Sequence, residues 1–461
     1  MLVRFSWKNF LNFSENADGS ALEFSPIAGR VRQKRETHVV EGAGFDLLRF
    51  CALYGANASG KSNFVKSLAF FQAVISFGDF PVGTTDLWCR VNERNQIKPS
   101  YFEAQFEIAG VVYAYGFEAQ LSKRQILSEW LIELDKRGDD VTIFERTPKT
   151  GEFQVSQSAN SRLSYYLDDF SVNQEKLFLS YINQARLKFL QDDSHGQVLK
   201  FVYGWLTNSL RVFSPTFTVP DLTIFDEANI NEKEICRILK SLDTGIEGFK
   251  YEETSFEKFF DEIPPQIREA FRKDIELGLT NKPKDKSILF SLMNTQNKSR
   301  IYRIQSNDVG QRLISELKFV HRNKNLLFHL DEESDGTIRL LNLLQILLSK
   351  KDSVFVVDEI DRCLHPNMTY EFVREFFKQA KRAPEVKTQF IVTSHESTLL
   401  DFDLLRRDEV WFVEKKENGD SDIYSLDQYN ERFDKRIDKA YLEGRYGGVP
   451  VFSTLFPLSN G

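Results

Sequence analysis

Cysteine is scarce: Cys51, Cys89, Cys236 and Cys363 lie far apart and form no C-x-x-C pair. That scatter excludes a disulfide framework and a zinc ribbon, so reduced thiols in a cytoplasmic protein are expected. Long apolar runs are missing as well. The longest, 340–348, is interrupted by Asn342 and Gln345 and is far too short to span a bilayer. The opening M-L-V-R-F-S-W-K-N-F has no continuous apolar stretch, so no secretory signal is expected. Nor is there an excess of positive charge. Lys and Arg number 60 against 67 Asp and Glu, a net of −7, which excludes a generic polycation for nucleic acid but leaves local basic patches open. No internal repeat and no long heptad array is visible, which excludes a solenoid or an extended coiled-coil arm.

What remains is an ordinary globular composition, 41% hydrophobic and 28% charged, over 461 residues, long enough for more than one core. Phenylalanine is abundant at 41 residues, and large buried faces are the expected use of so many rings. Residues 2–6 alternate as a strand does, and 9–13 is expected to turn into a second one. Between 101 and 133 the apolar positions also alternate, with Gly110 as a hairpin turn; 138–140 and 149–151 punctuate further hairpins. Residues 1–165 are therefore expected to form a lobe rich in antiparallel sheet. Helical spacing dominates from 166 to 300, which is expected to be a mostly helical insertion, with the polar stretch 281–287 as an exposed loop. From 301 to 461 helices and strands alternate: helix 340–348, strand 353–357, helix 369–381, strand 389–393. A hairpin around Asn418-Gly419 follows. That alternation indicates a parallel α/β layer.

Four segments carry chemistry. Gly55-Ala56-Asn57-Ala58-Ser59-Gly60-Lys61-Ser62 is a complete G-x-x-x-x-G-K-[ST] loop, preceded by an apolar strand and followed by an amphipathic helix expected from about Lys61 to Phe71, with Asn63 the next residue to face the phosphates. Its glycines let backbone N–H groups ring a phosphate, and the helix adds its positive end. Lys61 would reach the β- and γ-phosphates and Ser62 would hold Mg²⁺. Farther on, 354–357 is an apolar strand ending in Asp358 and Glu359, one carboxylate for the Mg²⁺ shell and one to polarise the attacking water. The 297 positions from Lys61 to Asp358 are too many for a small GTPase, so the two halves must close around an insertion. The third segment, 391–395, is a buried strand with His395 just beyond it, placed to reach the γ-phosphate. In the fourth, Ser334, Gly336 and Thr337 open a helix, a second anion site or an ordinary N-cap. Asp420-Ser421-Asp422 reads as D-x-D, but it follows Asn418-Gly419 and is expected to be a turn. The basic run Arg30, Arg32, Lys34 and Arg35 is a solvated loop or a phosphate-contacting arm.

In this order, the phosphate loop, E-S-D-G-T, the acidic strand leading to I-D-R-C-L-H-P, and T-S-H resemble the ABC-type ATPase heads of the SMC, RecF and OLD (overcoming lysogenization defect) families. Adding M-L-V-R-F-S-W-K-N-F-L-N-F and Y-L-E-G-R-Y-G-G-V-P, the chain is similar to the AAA-type abortive-infection ATPases of bacteria, the AbiLi-like group, without a TOPRIM domain. The resemblance implies an α/β ABC-type head that binds and hydrolyses ATP with Mg²⁺ and closes as a homodimer or larger assembly. Ser334 and Gly336 would then act in trans, with Asp361 and His365 at the dimer seam. For the glutamine that couples the γ-phosphate to the lobes, Gln105 and Gln184 are the candidates. It also implies a sensor or scaffold in phage defence with a separately encoded effector, perhaps a TOPRIM-like nuclease, and no membrane association. The competing expectation is a repair ATPase that binds DNA directly, with Arg30–Arg35 and 432–439 as its basic runs. A transporter subunit is disfavoured by the lack of an L-S-G-G-Q signature.

Overall fold

Period-two patterning builds the first sheet. In Ser100–Ile108 alternate side chains are buried, and the strand turns through Ala109 and Gly110, both at positive φ, into Val111–Gln120. The computed structural model describes residues 1–42, 44–135, 137–156, 161–185, 194–215, 222–225, 232–255, 259–260, 263, 265–280, 287–293, 299–306, 312–322, 326–428 and 441. The chain divides into two units. The first holds Met1–Pro215, Ser349–Asp361 and Phe376–Gly461, and the second Thr216–Leu348 and Arg362–Glu375.

Two sheets make up the first unit. One has seven antiparallel strands in the order Glu152–Val155, Val141–Thr147, Gln125–Leu134, Val111–Gln120, Ser100–Ile108, Leu2–Lys8, Leu22–Phe24. The other runs Leu210–Phe213, Ser353–Val357, Thr388–Thr393, Phe50–Tyr54, Val410–Lys415, Ser421–Ser425. All its pairings are parallel except the last hairpin. Phe50–Tyr54, Ser353–Val357 and Thr388–Thr393 are buried at every residue, as strands covered on both faces must be, which is why they read as unbroken apolar runs. Their carboxyl ends lie side by side, the usual location of a ligand site in a parallel sheet.

The helix Lys61–Phe77 starts directly after Phe50–Tyr54 and its loop, and it buries Phe64, Leu68, Phe71 and Ile75. Trp7 meets Phe5, Phe13 and Phe64 at ring separations of 5.2–5.4 Å. Burial of each such ring is worth about 1.5–3 kcal/mol, so the phenylalanine surplus fixes the floor beneath the loop. The other end of that helix is tied down by a buried ion pair. Glu129 accepts from Arg146 Nε at 2.7 Å, from Tyr115 at 2.9 Å, and from the Phe178 and Leu179 N–H groups at 2.7 and 3.0 Å. The helix Phe178–Gln184 thus held in place donates from Ser180 Oγ to the Ile75 carbonyl at 2.6 Å.

The second unit contains an antiparallel sheet, Ile246–Thr254, Arg312–His321, Ser299–Ser306, Ile288–Met293, with Leu327–His329 also on Arg312–His321. Its own small core includes Phe259, Phe260, Tyr302 and Ile304.

This organisation is the expected mixed α/β one, a β-rich antiparallel sheet with a parallel α/β layer, but the chain is divided otherwise than at 165 and 300. Helices do prevail among the described residues of 166–300. Residues up to Pro215, however, belong to the first unit, and 301–348 to the second. Two local causes account for this. Leu210–Phe213 is a four-residue strand abutting helical turns, too short to interrupt a helical pattern, yet it pairs with Ser353–Val357. Ile246–Thr254 is so open to solvent, with Lys250, Glu252 and Glu253 exposed, that its alternation is hidden. The strand expected at 9–13 is also absent. Asn9 and Leu11 sit at φ 53°, so Phe10 and Phe13 meet only as an isolated bridge, and the next strand is Leu22–Phe24. Of the expected loop 281–287 only Ser287 is described; the basic run 432–439 and the Y-L-E-G-R-Y-G-G-V-P stretch beyond Tyr441 lie outside the described residues.

Candidate functional site

Backbone shape comes first in the loop between Tyr54 and Lys61. A Cβ at Gly55 would lie 2.3 Å from the Val413 carbonyl and 2.5 Å from Ser59 Oγ, so only glycine fits. Ala58 and Gly60 take φ 62° and 120°, which bends the chain into a cup around Ala56–Ser59 and delivers it to the helix. Asn57 and Ala58 are exposed, whereas Ser59 and Gly60 are buried. Gly60 caps the helix with no side chain, so its first N–H groups have no side-chain acceptor there, as an anion cradle requires.

Lys61 is buried, and its Nζ donates to the carbonyls of Gly55 at 2.6 Å and Ala56 at 3.0 Å. Desolvation pushes its pKa down to about 8 against the pull of Asp358, Asp361 and Glu359. An ammonium folded onto carbonyls, in a site that penalises its charge, is suited to a phosphate.

Both carboxylates arrive from the end of one strand, Ser353–Val357, which Thr388–Thr393 separates from Phe50–Tyr54. Asp358 is buried at the end of Ser353–Val357, with its N–H on the Phe213 carbonyl at 3.0 Å. Its Oδ1 accepts from Ser62 Oγ at 3.1 Å and from Thr393 Oγ1 at 2.5 Å. Glu359 is half-buried, at φ 49°, and its N–H donates to the same Thr393 oxygen at 2.8 Å. His395 follows one residue past Ser394, its N–H 3.3 Å from Asp361 Oδ2. Its imidazole is held below its ordinary pKa by desolvation and then by Lys61, with Asp361, Glu359 and Asp358 opposing. The loop, both carboxylates and His395 are thus brought together inside the first unit. Ser62 and Asp358 offer two oxygens for a cation, and Mg²⁺ in nucleotide enzymes takes one or two protein oxygens, with phosphate and water completing its shell.

Three further residues lie in stretches already noted, but their part in the site is seen only in the structure. Asn12 Nδ2 donates to Ser421 Oγ at 2.6 Å and to the Ser59 carbonyl at 3.3 Å, while its Oδ1 accepts from Asn63 at 2.7 Å. Ser421 Oγ donates to the same Ser59 carbonyl at 2.6 Å. Thr393 joins the carboxylates. The D-x-D triplet follows the hairpin turn and is not itself a turn, since Ser421 and Asp422 open the strand Ser421–Ser425: Asp420 Oδ1 accepts from the Ser14 and Ser421 N–H groups, each at 2.9 Å, and Asp422 pairs with Lys416 at 2.8 Å.

The signature segment belongs to the second unit. Ser334 is exposed and caps the helix Asp335–Leu347, its Oγ accepting from the Thr337 N–H at 3.1 Å and lying 2.9 Å from Thr337 Oγ1. A Cβ on Gly336 would come within 2.6 Å of the Cys363 carbonyl, so this position too needs glycine. His365 Nδ1 accepts from the Asn367 N–H at 3.2 Å. Neither glutamine candidate meets the loop in the observed bonds. Gln184 donates to the Ser76 carbonyl at 3.1 Å, at the end of Lys61–Phe77 remote from the loop, ~20 Å away at 1.5 Å per residue. Gln105 donates to Glu103 at 3.1 Å. Of the basic run, Lys34 donates to the carbonyls of Phe402 and Leu405 and Arg35 pairs with Asp46, whereas Arg30 and Arg32 are exposed.

Residues 50–198 and 228–401 match a protein family described as "AAA domain, putative AbiEii toxin, Type IV TA system". Similar solved structures include the SMC head domain from Thermotoga maritima, 14% identical, with a TM-score of 0.36 over 92% of this chain and 98% of that one. Another is the SmcHead bound to the C-winged helix domain of ScpA, 12% identical, with a TM-score of 0.36 over 93% and 99%. No curated protein sequence matches the chain.

Proposed function

From the premise that this chain belongs to that AAA-domain, AbiEii-type family, we propose that it is a Mg²⁺-dependent ATPase with its hydrolytic groups in the first unit. The observation that carries the reading is one hydrogen-bonded chain, Ser62 to Asp358 to Thr393 to the Glu359 amide, beside a desolvated Lys61. Lys61 would exchange the Gly55 and Ala56 carbonyls for the β- and γ-phosphates, and the amides of 55–63 would surround them. Ser62 and Asp358 would hold Mg²⁺, which when bound neutralises phosphate charge. Glu359 would accept a proton from water as the water oxygen bonds to the γ-phosphorus and the bond to the β-phosphate oxygen breaks, leaving ADP and phosphate. His395 would donate a hydrogen bond to the γ-phosphate.

Ser334, Gly336 and Thr337 would act on the ATP of a second subunit, so that ATP binding draws two chains together. The differential contact with ATP in the closed pair is what would turn nucleotide state into a conformational signal. The family's description names a toxin of a Type IV TA system, and the resemblance to abortive-infection ATPases points the same way. On the resemblance, the role within phage defence would be that of a cytoplasmic sensor or scaffold that controls a separately encoded effector. Among the described residues no helix is long and apolar enough to cross a membrane.

The test is Mg²⁺-dependent release of phosphate by the wild type, with light scattering of Glu359→Gln with and without ATP. Hydrolysis by the wild type and an ATP-dependent doubling of mass in the variant are expected. A wild type without hydrolysis, or wild-type turnover in Glu359→Gln, would sink the assignment.

A further inference from the structure

Thr393 is the last residue of Thr388–Thr393 and is 1% exposed. A hydroxyl has one hydrogen to give and lone pairs to receive with. Here the hydrogen goes to Asp358 Oδ1 at 2.5 Å, and the oxygen receives the Glu359 N–H at 2.8 Å. The Thr393 carbonyl also accepts the Ile360 N–H at 3.0 Å. One residue therefore grips three consecutive positions, 358, 359 and 360. It does so where the chain needs gripping, because Glu359 sits at φ 49°, a conformation that non-glycine residues adopt only when their surroundings impose it.

Asp358 Oδ1 has two hydroxyl donors, and they are not equivalent. Ser62 Oγ is at 3.1 Å on a half-buried residue, a contact that Ser62 would give up on turning toward a cation. Thr393 has no such second task, and burial keeps water from replacing it. We infer that Thr393 is a positioning residue that orients the Asp358 carboxylate toward the metal position and fixes the peptide carrying Glu359. The inference rests on the ATPase reading above. It makes the strand ending toward His395 part of the hydrolytic apparatus through its hydroxyl as well as its histidine.

The experiment compares Thr393→Val, which keeps the shape and removes the hydroxyl, with Thr393→Ser, which keeps the hydroxyl. A fluorescent ATP analogue is titrated first in EDTA and then against rising Mg²⁺, and hydrolysis is measured separately. For Thr393→Val the affinity in EDTA should match the wild type, while the Mg²⁺ needed for half the gain in affinity rises ~10–100-fold and kcat falls by a similar factor. Thr393→Ser should recover most of both. Wild-type Mg²⁺ response and kcat in Thr393→Val would overturn the inference. So would a Thr393→Ser as defective as Thr393→Val, since packing and not the hydroxyl would then matter. If Thr393→Val does not fold, Thr393→Ala against Thr393→Ser makes the same comparison. A wild type that binds the analogue with Mg²⁺ but never hydrolyses ATP overturns the ATPase reading, and the Mg²⁺ shift still decides the role of Thr393.

Discussion

The two anion-binding candidates of this chain are built in opposite ways. In the first unit, segments from positions 12, 55–63, 358–359, 393–395 and 421 interlock, with the side chains of Asn12, Ser62, Thr393 and Ser421 each bonded to a residue distant in sequence. In the second unit, the bonds of the Ser334 side chain among the described residues stay within its own helix turn, to Thr337. A site assembled from distant strands is rigid and preorganised, and it fails as a whole when one member is removed. A capped helix start is a local device that keeps its shape alone. The contrast suits a division in which one unit performs the chemistry and the other recognises a nucleotide presented to it.

The largest effect that would break this contrast is on binding. Lys61→Ala removes the only loop side chain that carries a charge, and nucleotide binding by calorimetry should become undetectable while the fold is kept. Unchanged affinity would mean that the interlocked cluster is not the phosphate site. Glu359→Gln should next leave binding intact and slow hydrolysis by ~10²–10⁴ in a single-turnover assay. A variant that lost binding instead would make Glu359 part of the cradle and not the group that accepts the proton.

Interlocking itself is measurable in the loop's support. Asn12→Ala and Ser421→Ala each remove one of the two side-chain donors to the Ser59 carbonyl, and each should weaken ATP affinity by ~3–10-fold. Because the two side chains also bond to each other, the double variant should depart from additivity by about 0.5–3 kcal/mol in the calorimetric binding energy. Strict additivity would show two independent props in place of a network.

How much of this was legible in the sequence follows from the same contrast. The phosphate loop, the acidic strand and T-S-H could be read because each packs its apolar strand and its functional residues into one short segment. The parallel sheet was legible for the same reason, since strands buried on both faces are unbroken apolar runs. Asn12, Ser421 and the bonding of Thr393 were not, because an Asn or Ser at a turn looks alike whether or not a strand order places it under a glycine loop. Only the adjacency of Phe50–Tyr54, Val410–Lys415 and Ser421–Ser425 makes Ser421 a neighbour of Ser59. The sheet of the second unit stayed hidden where exposed Lys and Glu side chains interrupt the apolar alternation. Gln184, one of the two candidates for the coupling glutamine, donates to the Ser76 carbonyl at the far end of the helix, a bond that no local pattern announces.

The smallest expected effect is also the sharpest test of the second unit. Ser334→Ala removes an N-cap and should cost about 1 kcal/mol of stability by chemical denaturation, whether or not Ser334 ever touches a phosphate. The cap and the recognition role are therefore confounded in that variant. Ser334→Gly separates them, since glycine at an N-cap costs only a few tenths of a kcal/mol while the hydroxyl is removed all the same. Placed on the Glu359→Gln background, Ser334→Gly should melt almost with its parent and bind ATP equally well as a dilute single chain. It should nevertheless lose most of the ATP-dependent association. If association survives, Ser334 is a helix cap and nothing more, and the contacts that join two chains must be sought elsewhere on the second unit.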